Sequence, residues 1–460
     1  WIQDLIQSHH VWFQETPGTV FLPQDCSIYG TWDQQTNTCT LNQDLNQSIE
    51  IGLSNIALDC AGHDINGIHT GYGIYLNRKS NVTLKNCNVN NFSYGIYLFG
   101  GSNHILISNS AVNGEYGIFF NSQNNTLVNN TADSNNIYGI LIDNSSNNVL
   151  TGNAMSNNGY NFYLWGAFDE QNIDTSNTVN GKPIYYLINA ANQVYDSSTN
   201  AGTFYCINCN NITVKDLTLT NNAYGVFFWR TNNSRIENIN ATDNLVGVWF
   251  ESSSNNAITD NTANLNDWYG ALLVDSDSNV FIDNTFSLNS DAGVRLHDSS
   301  TNTFTDNTIS NNAQYGIYIY YYSYAKMYHN NFINNPSQVY ITWASSGIFD
   351  NGYPDGGNYW SDYDTPAEGC NDNDDNGLCD ASYAFFGGQD RYPFIEKNEW
   401  KKKEVPLYTQ IISQYPSEIE TQRWSTRNYA YATSGNPYPS CGWTIGDCGC
   451  AITSMVMLGR

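Results

Sequence analysis

The chain has 460 residues, room for two or three ordinary domains or for one long repeat array. Its 43 acidic residues against 17 basic ones give a formal net charge of −26, a field that repels nucleic acid and anionic lipid and argues against both as partners. No run reaches the roughly 18 consecutive apolar residues that a membrane-spanning helix needs, so no membrane span is expected.

Charged residues make up only 13% of the chain, while Asn, Ser, Thr, Gly and Tyr abound. That mixture suits strands joined by tight turns and not a helical bundle. The chain opens at Trp1 without an initiator Met or signal peptide and stops at Arg460 inside an apolar run, the pattern of a trimmed piece of a longer precursor.

Residues 1–50 are expected to form an N-terminal cap and the first strands. From there the dominant signal is self-similarity. Gly73, Gly95, Gly117 and Gly139 are spaced by 22 residues, as are Gly225 and Gly247, and Gly270, Gly293 and Gly316 follow in steps of 23. A short apolar strand follows each, such as Ile96-Tyr97-Leu98 or Val248-Trp249-Phe250. Asn238, Asn261, Asn284, Asn307 and Asn330 keep a step of 23.

A period in the low twenties with several short strands per repeat predicts a solenoid. The Leu-x-x-Leu-x-Leu frame of leucine-rich repeats is absent. The expected fold is all-β, a right-handed single-stranded parallel β-helix of the pectin-lyase-like kind, over residues 51–350, with an interruption at about 155–205. Stacked Asn side chains would hydrogen-bond in ladders. The glycines would serve a turn of positive φ or a close backbone approach. Ile, Val, Leu and Phe would fill the core and Tyr and Trp the outside. Tyr315, Tyr318, Tyr320, Tyr321, Tyr322 and Tyr324 crowd one coil, and Phe227, Phe228, Trp229, Trp249 and Phe250 crowd others. Such rings stack on sugars, form an interface or simply fill strands.

Most of the 11 cysteines fall in short-range pairs: Cys26 with Cys39, Cys206 with Cys209, Cys370 with Cys379 and Cys441 with Cys448. Cys60 and Cys87 lie a little over one coil apart, and Cys450 is left over. Zinc competes as a reading, but the two-residue spacing occurs cleanly only once and no His is near it. Disulfides, and with them an extracellular or cell-surface location, are the expectation. Sequons at Asn46, Asn81, Asn91, Asn124, Asn129, Asn144, Asn211, Asn232 and Asn240 are candidate glycosylation sites.

Two carboxylate patterns carry chemistry. Asp260, Asp283 and Asp306 recur one coil apart; such groups serve a glycosidase or hold calcium in a lyase, although a repeat produces them without function. Within the expected C-terminal cap, 351–396, the loop Asp372-Asn373-Asp374-Asp375-Asn376-Gly377-Leu378-Cys379-Asp380 sets oxygen donors at alternate positions. Asp372, Asp374, Asn376, the Leu378 carbonyl and Asp380 follow the spacing of a structural calcium loop, with Gly377 at the sharp turn. Tyr383 stands where an EF-hand has its bidentate Glu.

The stretches Asn55-Ile56-Ala57-Leu58-Asp59-Cys60-Ala61-Gly62-His63, Gly71-Tyr72-Gly73-Ile74-Tyr75-Leu76 and Asn81-Val82-Thr83-Leu84-Lys85-Asn86-Cys87 resemble the opening coils of NosD-type β-helix proteins. Asn177 to Leu187 is similar to that family's mid-helix insertion, and Gly357-Asn358-Tyr359-Trp360-Ser361-Asp362-Tyr363 with Asp390-Arg391-Tyr392-Pro393-Phe394 to its usual end. The resemblance covers about residues 20–396. Copper is not carried over, because no Met or His cluster would hold it.

The basic run 397–405 reads as a linker. Beyond it, at 406–460, Cys441-Gly442-Trp443-Thr444-Ile445-Gly446-Asp447-Cys448-Gly449-Cys450 and the following apolar residues resemble the nucleophile segment of papain-like, bacteriocin-processing-type cysteine peptidases. The resemblance implies Cys450 as nucleophile and Gln422 as a weak oxyanion donor. The last His is His329, upstream, so the expected triad cannot assemble from this chain and no hydrolysis by it is expected.

The role expected is a structural or adhesive cell-surface module, such as a subunit of a surface layer or filament, that associates with itself or other surface proteins. A carbohydrate-binding or carbohydrate-active β-helix and a cysteine peptidase with a β-helix targeting arm are the alternatives.

Overall fold

The structure, a computed structural model, describes residues 18–403. Strands of two to nine residues return at each coil and pair in parallel with their equivalents one coil away, about 4.8 Å apart. The protein is a right-handed parallel β-helix, the hand that parallel crossovers take. Register is set by the inward side chains. Ile74, Ile96, Ile118, Ile140 and Phe162 form one buried column. Val226, Val248, Ala271, Val294, Ile317 and Val339 form another.

The repeating glycines are there for close approach alone. A Cβ on Gly95 would lie 2.6 Å from the Gly117 carbonyl oxygen, and one on Gly247 2.6 Å from that of Gly270. None of these column glycines has a positive φ. The left-handed corners are made instead by Asn and Asp, among them Asn81, Asn103, Asn124, Asp216, Asn238, Asp260, Asp283 and Asp306, residues whose short polar side chains tolerate that region.

The Asn ladder is buried and continuous. The side-chain amide of Asn261 donates to Asn284 Oδ1, Asn284 to Asn307 and Asn307 to Asn330, each at 2.9 Å, and Asn330 to Asn358 at 3.0 Å. Asn238 does not belong to it. The coil before Asn261 has 22 residues, so Ile239 takes the ladder position and its N–H donates to Asn261 Oδ1. Asn238 lies on the exposed outer column between Asp216 and Asp260. Asn358, 28 residues after Asn330, supplies the last rung.

The interruption expected at 155–205 is a change of axis. The first glycine-led sheet of seven strands ends at Tyr160–Trp165. A hairpin of Thr178–Val179 and Lys182–Ile188 then turns the third sheet of the first stack into the glycine-led sheet of a second stack, 14 strands in all. The open end of the first core is covered by the outer flank of the second. Phe162 meets Tyr205, Tyr163 meets Tyr224, Trp165 meets Trp249 and Phe168 meets Phe227. Tyr205, Tyr224, Phe227 and Trp249, on the outward face of their own strands, are therefore buried, which corrects the expectation that the Tyr and Trp rings lie outside and that Phe227 faces its own core. Phe228 and Phe250 point into the second core.

Both ends are closed within the described residues. Helix Cys26–Tyr29 and the hairpin Gly30–Asp33 with Thr38–Leu41 cover the first coils. At the far end Trp360 stacks on Phe332 at 4.4 Å, with Phe349, Tyr383 and Phe385 beside it. Asp390 is fully buried there and accepts the N–H groups of Asn358, Tyr392 and Trp360 Nε1. Burial pushes its carboxyl up to about 7 against those three donors. The far end of the second core is thus filled by the chain's own cap.

Cys26–Cys39, Cys60–Cys87, Cys206–Cys209 and Cys370–Cys379 are disulfides. The run read as a linker contains a short helix, Glu399–Lys403, folded back on the solenoid.

Candidate functional site

The outward face of the second stack changes character along its axis. One column runs Phe227, Trp249, Leu272, Arg295, Tyr318, Tyr340. The next runs Trp229, Glu251, Val274, His297, Tyr320. At the left-handed corner after it come Arg230, Ser252, Asp275, Asp298 and Tyr321. Where the first stack leans on this face the columns are aromatic and buried. Beyond that contact they carry charge.

Glu251 is the central group. Its Oε2 is buried and has no hydrogen-bond partner. Burial, reinforced by Asp275 and opposed by Arg230, pushes its carboxyl up to about 7. Asp275 is raised as well, first by burial and then by Asp298, whose carboxyl is within hydrogen-bonding reach. His297 Nδ1 is likewise buried without a partner, and burial followed by the Arg295 charge holds the imidazole below its usual value. Near pH 7 the cluster thus offers in Glu251 a carboxyl able to hold and donate a proton, beside a second carboxyl raised by burial and an imidazole held below its usual value.

Aromatic rings frame these groups. The Arg230 guanidinium lies 4.0 Å from the Trp229 ring centre. His297 stacks on Tyr321 at 5.3 Å, and Tyr320 packs against Trp343 at 6.3 Å. Tyr322 and Trp343 are 62% and 67% exposed, so they present rings to solvent one and two coils beyond Asp298. Arg295 is buried over the rings of Tyr269, Tyr318 and Tyr320 and donates to Tyr269 Oη. Sugars are bound by this combination of flat apolar rings with a few fixed polar groups.

The other carboxylate column is already engaged. Asp260, Asp283 and Asp306 do stack one coil apart, but the C-terminal helix closes over two of them. Lys401 Nζ lies 2.8 Å from Asp283 and 3.9 Å from Asp306, and Trp400 Nε1 donates to Asp306 Oδ1 at 2.6 Å. The cation that relieves their repulsion comes from more than 90 residues away in sequence, where no local pattern pointed to it.

In the loop 372–380, Asp372 accepts the N–H groups of Asn376 and Gly377, Asn376 donates to Asp374, and Leu378 N–H donates to Asn376 Oδ1. Asp380 is engaged by Asn373. Among the described residues no three His, Cys, Asp or Glu side chains converge in a metal-holding group. Six of the nine sequon asparagines, Asn81, Asn91, Asn124, Asn129, Asn144 and Asn211, stand at left-handed corners, and Asn232 and Asn240 lie in bridges between coils. Asn46, Asn81, Asn124, Asn129, Asn144, Asn211 and Asn240 are exposed, and Asn91 and Asn232 are half-buried. Gln422, Cys441, Cys448 and Cys450 lie outside the described residues.

Residues 173–365 match the family described as periplasmic copper-binding protein (NosD), and residues 27–179 match the right-handed β-helix region family. Neither match extends into the peptidase-like segment. The copper of the first description finds no fitting donor set among the described residues: the His and Met side chains are scattered and no metal-holding group forms. No curated protein gives a significant match.

Among solved structures, the chain is similar to the periplasmic alginate epimerase AlgG, with 13% identity, a TM-score of 0.29, and coverage of 72% of this chain and 84% of that one. The A-module of the mannuronan C-5 epimerase AlgE4 from Azotobacter vinelandii gives 15% identity, a TM-score of 0.24 and coverage of 71% and 91%. The catalytic domain of a GH87 α-1,3-glucanase gives 14%, 0.24, and 72% and 61%. These likenesses concern the fold alone. In-register parallel coils, the closed ends and the two family matches together identify a right-handed β-helix repeat protein built as two joined stacks.

Proposed function

We propose that this protein is a glycan-binding, adhesive β-helix that works outside the cytoplasm, with the outer corner from Trp229 to Trp343 as its binding face. The carrying observation is that corner itself: partnerless Glu251 Oε2 and, two coils on, His297 Nδ1 lie on one column, and the exposed rings of Tyr322 and Trp343 follow on the next coils. Four disulfides in a rigid solenoid support an oxidising compartment, and the exposed sequons are compatible with it. The net charge of −26 favours neutral over acidic glycans.

The test is isothermal titration of the full chain with neutral polysaccharide fragments (β-1,3-glucan, mannan and chitin oligomers), with polygalacturonate as the acidic control. One neutral probe is expected to bind, and the double variant Tyr322→Ala, Trp343→Ala should weaken it about 10-fold, the value of one or two lost ring contacts. Binding that survives this variant unchanged would place the glycan elsewhere.

The loop at 372–380 is read as a structural calcium clip of the end cap. A bound cation would exchange the Asp374–Asn376 and Asp380–Asn373 contacts for its own coordination by Asp372, Asp374, Asn376, the Leu378 carbonyl and Asp380. Calcium at about 100 times its dissociation constant should raise unfolding stability by about 3 kcal/mol, read as a rise in thermal midpoint. Asp374→Ala, an exposed position, should lose that rise. An equal response of wild type and variant would rule the clip out.

A further inference from the structure

We propose that the same face cleaves the glycan it binds, by hydrolysis, with Glu251 as proton donor and the Asp275–Asp298 pair as base. This rests on the glycan-binding reading. Three observations meet at one place. Glu251 is itself partly exposed, while its Oε2 is buried and partnerless. Asp275 and Asp298 follow on the next two coils, at the corner one residue beyond the Glu251 column, where the Asp298 charge acts on Asp275. The imidazole of His297, also partnerless at Nδ1, lies between them and the rings of Tyr320 and Tyr321. A scaffold has no use for three carboxyls crowded on adjacent coils, since their mutual repulsion costs stability. On the other carboxylate column the chain removes the same cost with Lys401. Among the described residues no lysine forms an ion pair with this cluster, and Arg230, stacked on Trp229, only partly opposes the rise at Glu251.

The step balances with water as the only co-reactant. Glu251 gives its proton to the bridging oxygen as the C1–O bond breaks, and that oxygen keeps the bond's electron pair. The carboxylate pair takes a proton from water, whose oxygen bonds to C1. The proton then returns through solvent to Glu251. Burial of Glu251 keeps the acid form available near neutral pH, as a proton donor requires. His297 is a positioning group, held by its stack on Tyr321.

The experiment uses the neutral oligosaccharide that binds most tightly in the titration above, incubated with the full chain between pH 5 and 9, with new reducing ends measured over time. Expected are a rate that falls as pH rises through about 7, where Glu251 loses its proton, and a drop of at least 100-fold in Glu251→Gln. Binding of that glycan by Glu251→Gln should persist, with an unchanged circular dichroism spectrum. A bound glycan that yields no new reducing ends overturns the hydrolysis and leaves binding standing. So does Glu251→Gln cleaving like wild type. If none of the neutral probes binds, the binding reading falls and hydrolysis falls with it.

Discussion

Asn284→Leu is expected to lower the stability of the protein by about 4 kcal/mol. The side chain is close to isosteric, so the loss is one of hydrogen bonds and not of volume. Asn284 Oδ1 accepts both the backbone N–H and the side-chain amide of Asn261, each at 2.9 Å, and its own amide donates to the Ile258 carbonyl at 2.8 Å and to Asn307. All of these groups are buried. With Leu in place the Asn261 N–H and the Ile258 carbonyl lose their partners in a dry core, and each such orphan costs roughly 1–3 kcal/mol. Against the 5–15 kcal/mol typical of whole domains this is a large fraction. Because each coil touches only its neighbours, the damage should also divide the second stack at this rung. Urea unfolding of the variant should show an earlier midpoint or a split transition. The control is Asn238→Gly, one residue outside the ladder and exposed, which should change stability by only a few tenths of a kcal/mol. Equal effects from the two substitutions would mean that the buried ladder does not hold the coils together.

That contrast also shows what the sequence could and could not convey. The glycine period determines the coil, and Gly95 and Gly117 sit where the period puts them. The Asn period misleads at one step, because 22-residue and 23-residue coils coexist: Asn238 and Asn261 share a spacing but not a column. The disulfide pairs within the described residues were legible from short spacings, since a coil brings near neighbours in sequence together in space. The burial of Trp249 and Tyr224 was not, because it arises from the first stack resting on the second, a contact between segments about 60 or more residues apart. The candidate site was half legible. Counting four and five residues past each glycine of the second stack finds Arg230, Glu251, Asp275, His297 and Asp298 as the titratable members of columns otherwise made of Trp, Val, Ser and Tyr. Their partnerless atoms, and the capture of Asp283 and Asp306 by Lys401, are facts of three-dimensional packing that no period carries.

The second large effect is expected from acid. His104 occupies a ladder position: its N–H donates to Asn125 Oδ1 at 3.2 Å, Asn125 N–H to Asn148 Oδ1, and the Asn148 amide to Gln171. The ring is fully buried and neither nitrogen has a well-formed hydrogen bond. Burial lowers its pKa from 6.5 to about 4. Above pH 6.5 the imidazole is neutral in both the folded and unfolded chain and costs nothing. As pH falls from 6.5 toward 4 the unfolded chain takes up a proton that the folded one refuses, so stability drops, and below about 4 this group contributes no further change. At pH 4.5 the loss is about 2–3 kcal/mol.

Glu251 and Asp390, both raised to about 7, act in the opposite direction over the same range, because the folded chain binds their protons first. The raw stability profile therefore mixes opposing slopes, and the difference between wild type and His104→Asn isolates the histidine. Asn is the ladder's own residue and can accept the N–H of Val82 while donating along the stack, so the variant should fold. Urea unfolding at pH 7.5 and pH 4.5 should show His104→Asn gaining about 2–3 kcal/mol on wild type between the two conditions. A constant difference across that range would mean that the ring is protonated, or finds a partner, inside the folded protein.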